Sequence, residues 1–91
     1  MTKKKEWTVY IIEAESGKLY TGITTDMTRR WNDHSGGKSG ARFFRTSKPS
    51  RIAYQEVQPD RAAATRREIS IKRMTRKQKL VLIRHAPSES R

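Results

Sequence analysis

The chain has 91 residues, of which 33% are hydrophobic and 33% charged, and it contains no cysteine. So short a chain buries only a small core, and we expect one domain without disulfides or thiolate metal sites. Lys and Arg number 21 against 9 Asp and Glu, a formal net charge of +12. This excess favours an anionic partner, nucleic acid above all, because each neutralised phosphate releases condensed counterions.

The sequence shows no sign of a membrane or export signal. No run approaches the roughly 20 apolar residues that span a bilayer, and MTKKKEWTVYII lacks the apolar stretch and cleavage site of a signal peptide. We therefore expect a cytoplasmic protein that does not enter membranes, and we take it as a monomer.

Two strands are predicted first, WTVYIIE and KLYTGIT, because both are rich in β-branched and aromatic residues. The AESG segment between them supplies a turn. A three-residue loop with a left-handed Gly17 would pair Tyr10 with Gly22 and put Tyr10 and Tyr20 on one face. A four-residue loop would put the tyrosines on opposite faces, and the sequence leaves both registers open.

A short helix is predicted over DMTRRWNDHSGG, with Asp26 as N-cap and Gly36 just after the last turn. Its spacing puts Arg30 and His34 one turn apart on the same side. A basic loop rich in Gly and Ser follows, SGGKSGARFFRTSKPSR, and we expect one of Phe43 and Phe44 to pack in the core.

The remaining elements are a third strand, RIAYQEV, and two helices. Pro59 at the first helical position and Asp60 in the first turn predict a helix that continues to about Met74. Thr75 with Gln78 predicts a capping box for the final helix, TRKQKLVLIRH. The order β-β-α-β-α-α predicts an α+β fold, a small three-stranded antiparallel sheet flanked by helices, with its core over about 7–84 and short tails on either side.

The residues that stand out on this frame are Tyr10, the Tyr20-Thr21-Gly22 triplet, Arg30, His34 and Glu68. In this order the chain resembles the GIY-YIG nuclease domains over roughly Trp7 to Arg84, and most closely the small stand-alone bacterial proteins of the YhbQ-like group. The tyrosines and Gly22 match the family's signature, although the flanking residues depart from its name-giving letters.

The resemblance implies a metal-dependent endonuclease that hydrolyses nucleic-acid phosphodiesters, with DNA favoured over RNA, in repair or recombination-type processing. It implies Glu68 as the ligand of one Mg²⁺ or Mn²⁺ ion, a hard cation that prefers oxygen ligands. The residues alone favour a simpler interpretation, an exposed Glu68 paired with Lys72 at i,i+4.

The other catalytic roles are also implied by the resemblance. Arg30 would stabilise the negative charge of the transition state, and Gly22 would be structural. His34 would move a proton or orient the attacking water, although a cation at a helix C-terminus is a serious alternative. We expect Tyr10 to act as the base and Tyr20 as its hydrogen-bonding partner, whereas packing of strand aromatics explains either tyrosine alone equally well.

Nucleic-acid binding is predicted for the basic loop and the last two helices. Positive side chains there can hold phosphates, and those that we assign to the interface are Lys38, Arg42, Arg45, Arg67, Lys72 and Arg76. Because the 91 residues hold no separate recognition domain, a basic module that binds DNA or RNA without cutting it, or cuts it weakly, remains the alternative function.

Overall fold

A computed structural model describes residues 5–36 and 40–85. The chain forms strands β1 (Trp7–Ala14) and β2 (Leu19–Thr24), helix α1 (Met27–Gly36), a 3₁₀ helix (Arg42–Arg45), strand β3 (Pro49–Gln58), and helices α2 (Arg61–Lys72) and α3 (Arg76–Arg84). The predicted order β-β-α-β-α-α is confirmed. The segment expected to be a loop contains one short 3₁₀ helix in addition.

The three strands form one antiparallel sheet in the order β2-β1-β3. The central strand β1 is buried on both faces, which explains why its apolar run is nearly continuous. One face of the sheet carries a core of Val9, Ile11, Tyr54, Ala64 and Ile71, which joins β1 and β3 to α2. The other face carries a second core.

The second core consists of Tyr10, Ile12 and Phe44, with Trp31 of α1 packed against it. Phe44 is the buried member of the phenylalanine pair, which confirms that one of the two is a core residue. This second core is the one that holds the candidate site. Among the described helices, none is long and apolar enough to cross a membrane.

The helix ends confirm some capping predictions and correct others. The Asp26 side chain accepts a hydrogen bond from the Arg29 backbone N–H, and the capping box of Thr75 and Gln78 is complete. Asp60 is the N-cap of α2, accepting from the Ala63 N–H, and does not lie in the first turn.

Two further helix limits differ from the prediction. Pro59 precedes the Asp60 cap instead of occupying the first helical position, and α2 ends at Lys72, with Arg73 as its C-cap. Gly36 is the last residue of α1 rather than the residue after it. These shifts of one or two residues leave the faces of the helices unchanged.

Candidate active site

The β1–β2 hairpin brings the two tyrosines together. Gly17 has a φ of 90°, and its N–H donates to the Ala14 carbonyl across a short loop. Tyr10 therefore pairs with Gly22, and Ile12 with Tyr20. The sequence left two registers open, and this one puts both phenols on the same face, with ring centroids 6.4 Å apart.

Gly22 makes room for the Tyr10 ring. A Cβ atom at position 22 would lie 2.5 Å from the Tyr10 hydroxyl oxygen and 2.7 Å from its Cζ, well inside van der Waals contact. Tyr10 thus lies across the backbone of β2, the edge strand, instead of standing beside a cross-strand side chain. This close approach gives the glycine of the Tyr20-Thr21-Gly22 triplet a steric reason, as predicted for a structural residue.

His34 is held by hydrogen bonds at both ring nitrogens. Its Nε2 lies 2.9 Å from the Tyr10 hydroxyl oxygen, and its Nδ1 accepts from the Ala41 backbone N–H at 3.1 Å. Because a backbone N–H can only donate, Nδ1 must carry the lone pair, and the neutral ring then donates its Nε2–H to Tyr10. His34 is therefore a fixed donor to the phenol.

Burial keeps His34 uncharged at neutral pH. The side chain is 1% exposed, and burial, reinforced by the nearby Arg30 charge, lowers its pKa to about 4. This contradicts the alternative that His34 is a helix C-terminal cation. Gly40 secures the arrangement, because a Cβ atom there would lie 2.6 Å from the His34 Cα and would push the Ala41 N–H away.

Arg30 reaches the same phenol from one turn earlier in α1. Its guanidinium hydrogen-bonds the Tyr10 hydroxyl and also lies 3.6 Å from the Asp33 carboxylate. Burial alone would lower the pKa of Arg30, but the hydrogen bond and charge interaction with Tyr10 outweigh it and raise the pKa. Tyr10 thus has two nitrogen donors from α1 at its oxygen.

The Tyr10 phenol is nevertheless protonated at neutral pH. Burial raises its pKa above the ordinary 10.0; the Arg30 hydrogen bond opposes this rise, while charge interactions with Tyr20 and Glu68 add to it. The predicted hydrogen bond between the two tyrosines is replaced by the bonds from His34 and Arg30. Tyr20 contacts the cluster through its ring instead, with its centroid 5.5 Å from that of His34.

Glu68 has two interactions in the structure, an ion pair with Lys72 and a longer-range charge interaction with Tyr10. Its carboxylate pairs with the Lys72 ammonium at 3.2 Å, one turn along α2. The side chain is only 19% exposed, and its charge acts on the Tyr10 phenol. The structure therefore brings Glu68 into the electrostatic neighbourhood of Tyr10 while its carboxylate stays paired with Lys72.

The Glu68 carboxylate and the Tyr10 phenol suit a hard cation that keeps most of its water ligands better than a metal that takes all its ligands from the protein. Within residues 5–36 and 40–85, no three His, Cys, Asp or Glu side chains are grouped so that they could hold a metal. One carboxylate beside a phenol suits Mg²⁺ or Mn²⁺, which keep several waters and need only one or two carboxylates. Glu68 is the residue that would hold such an ion.

The predicted nucleic-acid contacts fall into different environments. Arg42 and Arg45 lie exposed on the 3₁₀ helix, and Arg76 donates to the Gly17 carbonyl at 2.7 Å. Arg67 forms two hydrogen bonds from Nε to Glu56, at 3.1 and 3.0 Å, so its charge is balanced within the protein. Lys38 lies outside the described residues, and Lys72 is engaged by Glu68.

Two groups that contact the predicted site residues were not predicted from the sequence: the Ala41 N–H, which contacts His34, and Glu56, which contacts Arg67. The Ala41 N–H is a backbone group on a loop, and nothing in the side-chain pattern points to it. Glu56 also accepts from Tyr54 and Gln58, at alternate positions of β3. Polar residues two apart on a strand share a face, and that signal could have paired Glu56 with its strand neighbours, though not with Arg67.

Comparison with known proteins identifies the family to which the chain belongs. Residues 6–80 match the GIY-YIG catalytic domain family, and the chain therefore belongs to that family, a family of nucleases. A UPF0213 protein of Desulfotalea psychrophila is 43% identical over 82 residues, covering 88% of this chain and 74% of that protein. A UPF0213 protein of Cupriavidus pinatubonensis is 40% identical over 80 residues, covering 88% of both chains.

Two solution NMR structures are also similar. The UPF0213 protein of Bacillus halodurans has a TM-score of 0.56 and 37% identity, covering 87% of this chain and 83% of its own. A protein from E. faecalis has a TM-score of 0.62 and 28% identity, covering 100% and 99%. Within the family, these relatives support membership of the small bacterial, YhbQ-like group.

Proposed function

We propose that the protein is an endonuclease that hydrolyses nucleic-acid phosphodiester bonds with one Mg²⁺ or Mn²⁺ ion at Glu68, with DNA as the preferred substrate. The observation that carries the proposal is that three polar side chains surround the Tyr10 phenol. Its oxygen accepts hydrogen bonds from His34 and Arg30, and the charge of Glu68 raises its pKa. Core packing alone does not require three polar partners around one buried phenol.

The residues of the cluster divide the chemistry among them. Arg30 presents a permanently charged, planar guanidinium, which suits the extra negative charge of a pentacovalent phosphorus. A divalent ion at Glu68, when bound, polarises the phosphate and stabilises the leaving oxygen. Tyr10 first releases its own proton to solvent and, as the phenolate, then takes the proton of the attacking water, the role predicted for it.

Burial and the Glu68 charge both oppose the phenolate of Tyr10. Burial is the largest cause of its raised pKa, and the Glu68 charge adds a smaller part, which compensation of that charge would remove. His34 then acts as a positioning residue, because its Nε2–H holds the phenol oxygen while neither ring nitrogen is left to contact water. Its predicted direct contact with the water is thereby replaced by an action through Tyr10.

The decisive experiment is cleavage of plasmid and single-stranded DNA in Mg²⁺, Mn²⁺ or EDTA. We expect cleavage with either metal, none in EDTA, and a loss of at least about a hundredfold in Glu68→Gln and Arg30→Gln. Glu15→Gln, which removes an exposed acid of the hairpin loop, is the matched control and should cleave like the wild type. Full activity of Glu68→Gln would remove Glu68 from this mechanism, whereas cleavage in EDTA would remove the metal.

A basic binding module that does not cut is the second candidate, and the ion pair between Glu68 and Lys72 favours it, because the carboxylate already has a cation. That function predicts tight binding with a steep salt dependence and no turnover in any metal. Competition between DNA and RNA oligonucleotides of matched sequence then decides between the two substrate classes, since phosphate contacts alone do not distinguish them.

A further inference from the structure

A basic pocket lies beside the candidate active site, at the turn end of the β1–β2 hairpin. It has a volume of about 260 Å³, and its lining residues are Lys18, Leu19, Phe43, Arg76 and Lys79. Pockets for drug-sized ligands measure roughly 300–1,000 Å³. The space is therefore on the scale of a single base or phosphate group, and three elements far apart in the sequence are needed to build it.

The three cations of the pocket are not paired with any acidic side chain of the part of the chain that the structure describes. Within the described ranges 5–36 and 40–85, Lys18, Arg76 and Lys79 form no ion pair. Arg76 is fixed in place by its 2.7 Å hydrogen bond to the Gly17 carbonyl, which ties the start of α3 to the hairpin turn. Three convergent positive charges in one concavity attract an anion, and phosphate is the anion such side chains hold best.

Phe43 gives the pocket an aromatic wall. Its ring is braced by Phe44, edge-on at 4.9 Å between centroids, and by Tyr20 at 5.4 Å. The brace leaves Phe43 partly exposed at the pocket, where a flat apolar ligand can contact it. Since Tyr20 also contacts His34, the pocket lies one aromatic ring away from the Tyr10 cluster.

We propose that this pocket binds one nucleotide of the substrate strand, next to the phosphate that is cleaved. Phe43 contacts the base, while Lys18, Arg76 and Lys79 hold its phosphate. Base stacking on aromatic side chains together with a basic lining is the way proteins hold unpaired strands without reading sequence. The inference rests on the proposed function, because it takes nucleic acid as the ligand.

Binding measured without metal tests the pocket separately from catalysis. A fluorescent single-stranded DNA 12-mer is titrated in EDTA against the wild type, Arg76→Gln, Lys79→Gln and Phe43→Leu. We expect each variant to bind at least about fivefold more weakly than the wild type. Arg66→Gln, which removes one exposed positive charge on α2 outside the pocket, is the control and should lose no more than about twofold.

The salt dependence of binding distinguishes base stacking on Phe43 from the phosphate contacts of Arg76 and Lys79. The loss in Phe43→Leu should persist when salt is raised, because stacking does not release counterions, whereas the losses in Arg76→Gln and Lys79→Gln should shrink. An RNA 12-mer of the same sequence should show the same pattern, because neither contact depends on the 2′-OH. Arg76→Gln and Lys79→Gln binding as tightly as Arg66→Gln would overturn the pocket.

The variants also separate this inference from the proposed function. Weak binding by the pocket variants, together with no cleavage by the wild type in any metal, would support nucleotide binding in the pocket and contradict the nuclease function. Metal-dependent cleavage with unchanged binding by all three pocket variants would support the nuclease function and contradict nucleotide binding in the pocket. Because Phe43 also packs against the second core, thermal melting of Phe43→Leu must match the wild type before its affinity is interpreted.

Discussion

The imidazole of His34 spans from the Tyr10 hydroxyl, 2.9 Å from Nε2, to the backbone N–H of Ala41, 3.1 Å from Nδ1. The contact to Ala41 fixes which nitrogen carries the proton, and so fixes the direction of the bond to Tyr10. A protonated His34 would set an N–H of the ring against an N–H of the backbone. The histidine is therefore built to stay neutral.

The first prediction concerns stability in acid. The pKa of His34 is about 4 in the folded protein and 6.5 ordinarily, so between these values the unfolded chain binds more protons. Stability from this group is complete above pH 6.5 and is lost as the pH falls toward 4, by at most about 3 kcal/mol. Urea unfolding across pH 4–7 measures it.

The two histidines of the chain provide the comparison. His34→Gln should flatten the pH dependence in this window, because the substituted side chain does not titrate. His85→Gln, at an exposed position after α3, should keep the wild-type profile. A flat profile in the wild type would mean that His34 is not buried as a neutral ring.

The second prediction concerns the space over Gly22. Gly22→Ala puts a methyl group into the Tyr10 ring, so we expect a loss of about 1–3 kcal/mol in the free energy of unfolding and a strong loss of cleavage. Tyr10→Phe removes the closest atom, so Tyr10→Phe with Gly22→Ala should regain part of the stability and none of the activity. Gly36→Ala, where a Cβ meets nothing within 4 Å, should not destabilise the protein.

Most of the fold follows from local signals in the sequence. The β-branched and aromatic residues of β1 and β2, the Asp26 cap and the Thr75–Gln78 capping box are each specified within a few residues. Even the hairpin register depends only on the length of a loop and one left-handed glycine. Local patterns therefore suffice to place the two strands and the start of α1, whereas the register that puts both tyrosines on one face came from the structure.

The site itself depends on contacts across the sequence, which local patterns do not contain. The Ala41 N–H reaches His34 because Gly40 lies against the end of α1, and Arg67 reaches Glu56 from another element. The electrostatics also depend on burial, which makes His34 a neutral donor and contradicts the alternative of a helix C-terminal cation. The resemblance to a known family identified the candidate site residues, whereas only the structure showed which atoms of these residues donate and accept hydrogen bonds.

The third prediction concerns competition between the Lys72 ammonium and a divalent ion for the Glu68 carboxylate. Lys72 is the cation that the carboxylate contacts in the absence of metal, at 3.2 Å. Lys72→Met should therefore tighten Mn²⁺ binding, by at most about fivefold, because half-exposed ion pairs contribute only up to about 1 kcal/mol. Calorimetric titration with Mn²⁺ measures this, and Lys77→Met on α3 is the control. Weaker Mn²⁺ binding by Lys72→Met would show that the ion pair organises the site.

The fourth prediction separates neighbouring arginines on α2. Arg67 is bonded to Glu56, whereas Arg66 is exposed. Arg67→Gln should lower the free energy of unfolding by about 1–2 kcal/mol and change nucleic-acid affinity little. Arg66→Gln should leave stability unchanged. The opposite pattern, with affinity lost and stability kept in Arg67→Gln, would restore Arg67 to the predicted nucleic-acid interface.

The pH dependence of the Arg67 variant gives a second measurement. Burial alone would raise the pKa of Glu56, but hydrogen bonds from Tyr54, Gln58 and Arg67 outweigh it and lower the pKa below 4.5. Its contribution to stability is thus present above pH 4.5 and lost as the pH falls further. Arg67→Gln should reduce this loss, which begins at the lower end of the window in which His34 titrates and continues below it.

The last prediction concerns Thr21, the middle residue of the Tyr20-Thr21-Gly22 triplet. It pairs with Ile11 in the sheet and is buried, yet among residues 5–36 and 40–85 its hydroxyl finds no hydrogen-bond partner. A buried hydroxyl without a partner costs about 1–3 kcal/mol. Thr21→Val keeps the shape and removes the polar atom, so we expect unfolding in urea to require about 1 kcal/mol more.

Thr24 at the end of the same strand is the matched control, because its hydroxyl accepts from the Asp26 N–H at 3.1 Å. Thr24→Val should destabilise the protein where Thr21→Val stabilises it, since it removes a hydrogen bond that the structure uses. If both variants lose stability equally, the Thr21 hydroxyl must be satisfied by an internal water. In that case cleavage by Thr21→Val, expected to match the wild type, shows whether that water also serves the Tyr10 cluster.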